Sequence, residues 1–322
     1  MRVWLTSADL AGSVKMRKPL TRFSVIIPCR NAAAFIDAAL GSVGTQTHPP
    51  HEVIVIDDGS SDGSGERLAL NAGIRLLATT GGLGASAARN AGIETARGDY
   101  LAFLDADDRW TPGHLARAAS LIADARPAGL INHRLCIEHA TGDTRDRRPA
   151  VETVLRARGL EPFIDFYRRY GHFTGMSACI VRTDRAQAIG GFDSALPRRH
   201  DVDFWMRLIE DEDWIFDPEP TTLYRVDTPG ALSADEIAGS RYRLEAFAKQ
   251  ASRLRGHEPY DQLMAHIARR ALRHNMRETD ARVWRAILAR SAPFLPSRAR
   301  LGWRLVRKLP QSRKLLSAMR VI

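Results

Sequence analysis

The sequence predicts an α/β protein built on a doubly wound, mostly parallel sheet. Three observations support this fold class. Apolar runs of strand length alternate with helical patterns, the alternation repeats four times at intervals of about 25 residues, and two of the runs end in paired carboxylates. In such sheets the connections are right-handed and ligands bind at the carboxyl ends of the strands. We therefore expect the acidic residues that follow the strands to lie together at one edge of the sheet.

The four strand and helix pairs come first in the chain. Runs rich in β-branched and other apolar residues predict the strands. Apolar residues at helical spacing predict the helices, and Gly98 is placed to end the third helix. The predicted strands are 23–28, 52–56, 74–78 and 100–104, and the predicted helices are 32–43, 64–72, 85–97 and 111–125.

The second half of the chain is less regular. Further strands are predicted at 129–137, 175–181 and 222–226, a surface loop at 139–151, and a helix that opens near Arg199. From Ala234 onward the pattern is helical and increasingly basic. We therefore expect a flexible leader (1–22), an α/β domain (23–228, with halves 23–110 and 111–228) and a helical basic C-terminal extension (229–322).

The charge of the 322-residue chain is unevenly distributed. The formal net charge is +10, and residues 281–322 hold 11 Lys or Arg and no Asp or Glu, which leaves 36 of the 47 basic residues against 37 acidic ones. With Trp284, Phe294 and Trp303 among them, these residues suit a helix on an anionic membrane, where each base adds about 1 kcal/mol. Packing on the preceding domain is the alternative. No nucleic acid is expected, because no recognition motif accompanies the charge.

Several features bear on the compartment. No apolar run reaches the roughly 18 residues of a membrane-spanning helix, and residues 1–22 lack the apolar stretch of a signal peptide. Cys29, Cys136 and Cys179 fit neither a zinc spacing nor a disulfide framework. We therefore expect a cytoplasmic protein, and the basic tail allows peripheral contact with the inner face of the membrane.

The strand at 100–104 runs directly into Asp105, Asp107 and Asp108. Carboxylates this close repel one another unless a cation lies between them, and Asp105 and Asp107 lie on the same side of an extended segment. Hard oxygen ligands suit Mg²⁺ or Mn²⁺. The alternative is an acidic turn that caps the next helix, with Asp108 or Thr111 as the N-cap.

The second strand also ends in paired carboxylates, and a glycine-rich turn follows the third. In type and order these motifs resemble the nucleotide-sugar-binding half of family 2 glycosyltransferases with the GT-A fold, and two later motifs extend the resemblance to residues 23–228. The matching runs are Val25-Ile26-Ile27-Pro28-Cys29-Arg30-Asn31, Val53-Ile54-Val55-Ile56-Asp57-Asp58-Gly59-Ser60-Ser61-Asp62-Gly63, Gly82-Leu83-Gly84-Ala85-Ser86-Ala87-Ala88-Arg89-Asn90, Leu104-Asp105-Ala106-Asp107-Asp108, Gly190-Gly191-Phe192-Asp193 and His200-Asp201-Val202-Asp203-Phe204-Trp205.

The resemblance implies a role for each donor-side motif. Asp105 and Asp107 match the DxD motif, so it implies that both carboxylates bind a metal, Mn²⁺ or Mg²⁺, which bridges them to the donor diphosphate. Asp57 or Asp58 is expected to accept hydrogen bonds from the base or the ribose, and Arg89 to reach the diphosphate. The other residues expected in the donor site are Pro28, Arg30, Asn31, Asp105 and Ala106.

The resemblance also implies an acceptor side. Asp201 occupies the position of the family's catalytic carboxylate, which takes the proton of the attacking hydroxyl. His200, Asp203 and Trp205 are expected nearby, although Asp203 also suits a helix start and Trp205 also suits a core position. Three residues depart from the family's habits. His200 stands where relatives usually have Glu, Arg30 where an aromatic residue is common, and Asp227 where many have His; Asp227 would add a third carboxylate to the metal site.

The implied activity is an inverting, metal-dependent transfer of a sugar from a nucleoside diphosphate donor, expected to be a UDP-sugar. The expected acceptor is a glycan or a lipid-linked glycan in polysaccharide or glycoconjugate assembly. A dehydrogenase is a rival, since residues 82–87 fit G-x-G-x-x-A, but it leaves the strand-end carboxylates without roles. A metal-dependent nucleotidyltransferase and an inactive glycosyltransferase-like binding subunit are two further rivals.

Overall fold

The computed structural model describes residues 20–137, 144–145, 151–171, 175–226, 236–275 and 281–295. Its strands are β1 (Phe23–Cys29), β2 (Glu52–Asp57), β3 (Arg75–Ala78), β4 (Tyr100–Phe103), β5 (Arg109–Trp110), β6 (Gly129–Ile137), β7 (Thr144–Arg145), β8 (Leu155–Arg158), β9 (Cys179–Arg182) and β10 (Asp213–Arg225).

Eleven helices are described. They are α1 (Ile36–Gly44), α2 (Ser64–Ala69), α3 (Ala85–Thr95), α4 (His114–Ile122), α5 (Leu160–Tyr170), α6 (Thr183–Ala188), α7 (His200–Leu208), α8 (Glu236–Ala248), α9 (Ala251–Leu254), α10 (Glu258–His274) and α11 (Ala281–Ser291), with 3₁₀ turns at Met176–Ala178 and Ala292–Phe294.

The strands form one sheet in the order β3-β2-β1-β4-β9-β6-β10-β5, with β7 paired to β6 and β8 to β10. β3, β2, β1 and β4 are parallel and each is followed along the chain by a helix or turn that returns to the next strand. This part confirms the predicted doubly wound α/β fold. Beyond β4 the sheet is mixed, since β9 is antiparallel to both of its neighbours while β10 is parallel to β6.

Both faces of the central strands β1 and β4 are buried, as their continuous apolar runs predict, whereas β3 at the edge of the sheet is partly exposed. Side chains alternate between the faces, so Ile26 and Phe103 enter one core while Ile27 and Leu104 enter the other. The larger core lies between the sheet and α3, α5, α7, α8, α10 and α11, and the smaller one lies beneath α1 and α4.

The described part of the C-terminal extension packs on the α/β domain. The rings of Phe247 in α8 and Tyr167 in α5 are 4.9 Å apart, and Trp284 and Ile287 of α11 belong to the same core. The sequence allowed residues 281–322 either to contact a membrane or to pack on the preceding domain, and residues 281–295 pack on the domain. Residues 296–322, with Trp303, lie outside the described residues. No helix within the described ranges is both long enough and apolar enough to cross a membrane.

The largest difference from the predicted elements is β10, of which only 222–226 was predicted. The strand begins at Asp213 and contains Pro218 and Pro220, and its pairing with β6 shifts register between Asp217 and Thr222. Prolines disfavour a strand assignment because they cannot donate to the ladder, and a bulge is the place where they are tolerated. β8, α5 and α6 were not predicted, and β7 pairs with β6 inside the stretch predicted as a loop.

Candidate active site

Asp58, directly after β2, holds the glycine-rich turn that follows β3. Its carboxylate accepts hydrogen bonds from the hydroxyl of Thr79 (2.5 Å) and from the N–H groups of Leu83 (3.0 Å) and Gly84 (2.8 Å). Burial raises the pKa of this carboxyl, but these donors and the charge of Arg30 outweigh burial and leave the pKa below its ordinary value. Asp58 is therefore ionised, and both of its oxygens bind the turn.

Asp57 and Asn31 connect the loops that follow β1 and β2. Asp57 accepts hydrogen bonds from the N–H (3.0 Å) and hydroxyl (2.6 Å) of Ser60. Asn31, in the left-handed region with φ +51°, accepts the N–H of Ser61 (2.8 Å), and its own N–H donates to the hydroxyl of Ser60 (3.0 Å). The two residues thus shape the rim of the expected donor pocket through contacts within the protein.

The other residues predicted on the donor side lie at the same edge of the sheet. Pro28 is in register with Ile56 of β2. Arg30 is exposed, and its Nη1 lies 4.0 Å from the Asp58 carboxylate and next to Gly82. The structure therefore brings together the residues that the first three motifs predicted.

The acidic loop after β4 is fixed by two residues that no sequence motif singled out. The buried carboxylate of Asp108 accepts hydrogen bonds from the hydroxyl of Ser177 (2.5 Å) and from the N–H of Arg225 (2.8 Å). Ser177 also accepts the N–H of Asp105 (3.0 Å), and Nε of Arg225 donates to the carbonyl of Asp107 (3.0 Å). Ala106 is buried between Asp105 and Asp107, both of which are half-buried.

The three carboxylates share a small volume. Burial, followed by the charges of Asp107 and Asp105, raises the pKa of Asp108 well above its ordinary value and outweighs the donors from Ser177 and Arg225. Negative charge is thus disfavoured at this position, and a cation beside the loop would relieve the repulsion.

Arg89, in α3, connects the acidic loop to α7. Its guanidinium is almost fully buried, binds the carboxylate of Asp105 through Nη2, and donates from Nη1 to Nε2 of His200 (2.9 Å). The guanidinium carbon lies 5.6 Å from the ring centre of Phe192. Arg89 Nε has no hydrogen-bond partner among the described residues. The predicted donor-side arginine and the predicted acceptor-side histidine therefore touch each other.

His200 is a neutral imidazole in this arrangement. Burial, and then the charge of Arg89, lower its pKa to about 4, against weaker raising effects from Asp201, Asp105 and the backbone of Leu196. A neutral ring accepts a hydrogen bond at one nitrogen, as the contact with Arg89 requires. A Glu at this position would instead present a negative charge to the arginine.

Asp201 stands in the first turn of α7, beside His200, and is half-buried. The buried thiol of Cys179 feels the charges of both Asp201 and the acidic loop. Its pKa is raised by burial first and then by Asp201 and Asp105, while Arg134 and Arg89 act in the opposite direction. The structure therefore brings the predicted general base to the same end of the sheet as Asp105.

The other two predicted acceptor-side residues point into the protein. Asp203 is fully buried, and its carboxylate lies 2.9 Å from Nε of Arg207 and 3.3 Å from Nζ of Lys249. Trp205 is also fully buried, and its ring lies so close to Gly129 that a Cβ there would be 2.5 Å from it. In both cases the second interpretation of the sequence, as a helix-start acid and a core residue, describes the observed surroundings.

The acidic loop offers oxygen ligands but no closed metal cage. Within the described residues there is no group of three or more His, Cys, Asp or Glu side chains that could hold a metal ion, and Asp227 lies outside them. Asp105 is partly exposed, and apart from the contact of one oxygen with Arg89 it has no ion pair among those residues. Two carboxylates fit a hard divalent cation that takes its other ligands from a diphosphate and water.

Comparison with known proteins identifies the family of the chain. The family model "Glycosyl transferase family 2" matches residues 24–186. The amylovoran biosynthesis glycosyltransferase AmsB of Erwinia amylovora is 32% identical over 194 residues, which cover 58% of this chain and 63% of AmsB. The uncharacterized glycosyltransferase YibD of Escherichia coli K12 is 44% identical over 101 residues, 30% of this chain and 29% of YibD. The matches thus span less than two thirds of these relatives.

Solved structures share the fold. The structure of S. aureus TarS 1-349 in complex with UDP-GlcNAc has a TM-score of 0.68 at 19% identity, and the match covers 93% of this chain and 87% of that one. The same protein in complex with UDP has a TM-score of 0.64 at 20% identity. The family match covers half of the chain and includes the strand-end motifs, so the chain belongs to glycosyl transferase family 2.

Proposed function

We propose that the protein is an inverting, metal-dependent glycosyltransferase that moves a sugar from a nucleoside diphosphate donor to a glycan or lipid-linked acceptor. One observation carries the proposal: Arg89 binds both Asp105 and His200, and His200 directly precedes Asp201, so the two carboxylates are connected through the Arg89–His200 pair. Such a transfer needs a group that stabilises the leaving diphosphate, a task for Asp105 and Asp107 with their metal. It also needs a base for the attacking hydroxyl, a task for Asp201.

On the donor side, each residue is assigned one task. Asp57, Asp58 and Asn31 shape the nucleotide pocket, and Arg89 supplies positive charge close to the expected position of the diphosphate. Asp105 and Asp107 would hold Mn²⁺ or Mg²⁺, which as a Lewis acid stabilises charge on the departing diphosphate.

On the acceptor side, Asp201 accepts the proton of the attacking hydroxyl as the new bond forms. Attack opposite the leaving group inverts the configuration at the anomeric carbon, and no covalent intermediate is needed. Asp203 is not assigned this task, since Arg207 and Lys249 neutralise it within the protein.

The relatives suggest the class of donor and process. AmsB is named for amylovoran biosynthesis, and TarS has been crystallised with UDP and with UDP-GlcNAc. We infer a UDP-sugar as the donor and polysaccharide or glycoconjugate assembly as the process. We also propose an α/β domain at 23–228 and a cytoplasmic location, with which three free cysteines are consistent. Because residues 281–295 pack on the core, we assign peripheral membrane contact to the part of the basic segment 281–322 that follows residue 295.

A binding and hydrolysis screen tests the proposal. The purified protein and its variant Asp107→Ala are titrated with UDP-, GDP-, dTDP- and CMP-sugars in Mn²⁺, Mg²⁺ or EDTA. The control is Asp211→Ala, which changes an exposed acid just before the start of β10, at the end of the sheet away from the site. We expect metal-dependent binding of UDP-sugars that only Asp107→Ala abolishes. Folded protein that binds none of them would contradict the proposal and favour an inactive binding subunit. Formation of a nucleoside diphosphate sugar from a sugar phosphate would identify a nucleotidyltransferase.

A further inference from the structure

Arg134 of β6 is a cation at the candidate site that neither the motifs nor the proposed mechanism uses. Its guanidinium lies 4.5 Å from the ring centre of Tyr224 in β10. On its other side it lies against Gly175, where a Cβ would overlap with Nη1, so any other residue would displace the arginine. The ring and the glycine together hold the guanidinium in one place.

Within the described ranges of the chain, no carboxylate pairs with this guanidinium. Among the residues that the structure describes, none forms an ion pair or a side-chain hydrogen bond with Arg134, whereas Arg89, Arg117, Arg182 and Arg207 each face a carboxylate. A guanidinium that rests on an aromatic face keeps the N–H groups of its edge available, and their fork matches the two oxygens of a carboxylate or phosphate. Arg134 is half-buried, so part of its side chain is accessible to solvent.

Two independent contacts place Arg134 at the active end of the sheet. Tyr224, on which it stacks, directly precedes Arg225, whose Nε binds the carbonyl of Asp107. The carbonyl of Gly175, which it touches, accepts the thiol hydrogen bond of Cys179 (3.4 Å), a buried residue whose pKa is raised by the charges of Asp201 and Asp105.

Its strand places Arg134 on the acceptor half of the site. β6 is separated from β4 by β9, while the nucleotide loops follow β1, β2 and β3 on the far side of β4. The donor half has its own cations in Arg30 and Arg89. An anion at Arg134 would therefore approach Asp201 from the side opposite the nucleotide.

We propose that Arg134 binds an anionic group of the acceptor, a phosphate or a carboxylate, and so selects acidic glycans over neutral ones. This inference rests on the proposed function, because it assumes a donor site at Asp105 and an acceptor site beside Asp201. Arg134 is a specificity-determining residue in this scheme and takes no part in the transfer itself.

Small probes test this without knowledge of the acceptor. The full-length protein is saturated with UDP and Mg²⁺ and titrated with sn-glycerol 3-phosphate and D-glucuronate, each beside its neutral counterpart, glycerol or D-glucose, and binding is followed by ligand-observed NMR. The variants are Arg134→Gln, Arg134→Lys and the control Arg75→Gln, an exposed arginine at the start of the edge strand β3. Circular dichroism and thermal unfolding confirm that each variant is folded.

We expect at least one anionic probe to bind the wild type about tenfold more tightly than its neutral counterpart. Only the anionic probe can form a bidentate charged hydrogen bond with Arg134. Arg134→Gln should abolish this preference, Arg134→Lys should keep part of it, and Arg75→Gln should leave it unchanged. Equal binding of anionic and neutral probes, or a preference that persists in Arg134→Gln, would overturn the inference. So would a tenfold loss of UDP affinity in Arg134→Gln, which would place the arginine at the donor diphosphate. Failure of the wild type to bind UDP at all would instead contradict the proposed function.

Discussion

Arg89 and His200 are joined by a hydrogen bond of 2.9 Å between Nη1 and Nε2, across 111 residues of chain. Because Arg89 also binds Asp105, this one contact connects the acidic loop after β4 to the helix that carries Asp201. The position of the expected general base is thereby tied to that of an expected metal ligand.

Removal of the His200 acceptor should loosen Arg89. In His200→Ala the buried Nη1 of Arg89 loses its partner, and Nε already lacks one among the described residues. An unsatisfied buried donor costs about 1–3 kcal/mol. We expect a loss of that size in the free energy of unfolding and a weaker affinity for UDP in the presence of metal.

His200→Gln is the matched variant, since its side-chain carbonyl can accept the same hydrogen bond. It should retain most of the stability and UDP affinity, measured by urea unfolding and calorimetric titration. Equal behaviour of the Ala and Gln variants would show that the hydrogen bond to Arg89 does not fix the site.

Substitution of Asp203 in α7 should lower stability, whereas substitution of Asp201 in the same helix should lower the rate of transfer. Asp203 is fully buried beside the partly exposed Arg207 and Lys249, so Asp203→Asn removes a charged acceptor of their hydrogen bonds and should lower the free energy of unfolding by about 1–3 kcal/mol. Asp201→Asn should change stability by less than about 1 kcal/mol but reduce the transfer rate by about 10²–10⁴, the range for a lost general base.

The measurement is a pair of urea unfolding curves together with turnover at a temperature where both variants are folded. Asp203→Asn with normal stability and no activity would reverse the two assignments. Loss of UDP binding in Asp201→Asn would also contradict the assignment of Asp201 as the general base, because the base acts on the acceptor and not on the nucleotide.

Asp58 should prove structural as well as functional. Both of its oxygens accept hydrogen bonds from the turn at 79–84, so Asp58→Asn places an amide N–H where an acceptor is required. We expect a loss of about 1–3 kcal/mol in the free energy of unfolding and a weaker affinity for UDP. Asp37→Asn is the control, because the Asp37–Arg67 pair is exposed and surface pairs contribute less than about 1 kcal/mol. Similar effects of the two substitutions would contradict the assignment.

The parts of the fold that could be predicted from sequence are those whose cause is local. Apolar runs buried on both faces, followed directly by Asp57 or Asp105, reveal both the strands and the edge at which their carboxylates lie, because parallel strands end on the same side. β10 was largely missed, since Pro218 and Pro220 argue against a strand and only its bulged pairing with β6 accommodates them.

The residues of the site that were missed depend on long-range packing. Ser177 and Arg225 fix the acidic loop from positions 69 and 117 residues away from Asp108, and nothing in their neighbouring residues indicates this. Trp205 illustrates the opposite difficulty. Its helical spacing allowed a place in the core or at the acceptor, and the close fit of its ring to Gly129 places it in the core.

Burial of His114 in α4 should make the folded protein less stable in acid. Its Nδ1 lies 2.8 Å from the hydroxyl of Thr221, its ring stacks on that of Trp110, and burial lowers its pKa to about 3. In the unfolded chain a histidine titrates near pH 6.5, so between about pH 6.5 and 3 the unfolded state binds more protons than the folded state. The stability that His114 contributes as a neutral ring is therefore complete above pH 6.5 and is lost as the pH falls toward 3.

At pH 5 this single histidine should lower the free energy of unfolding by about 2 kcal/mol relative to pH 7, since 1.5 pH units correspond to about 1.4 kcal/mol each. His114→Gln removes the titrating group, so the stability of this variant should fall less steeply over that interval, by about the same amount. The exposed His51→Gln serves as the control and should follow the wild type. Urea unfolding at pH 7, 6 and 5 gives the free energy of unfolding of the wild type and both variants as a function of pH. The same pH dependence for the wild type and His114→Gln would show that the imidazole is already accessible to protons in the folded protein.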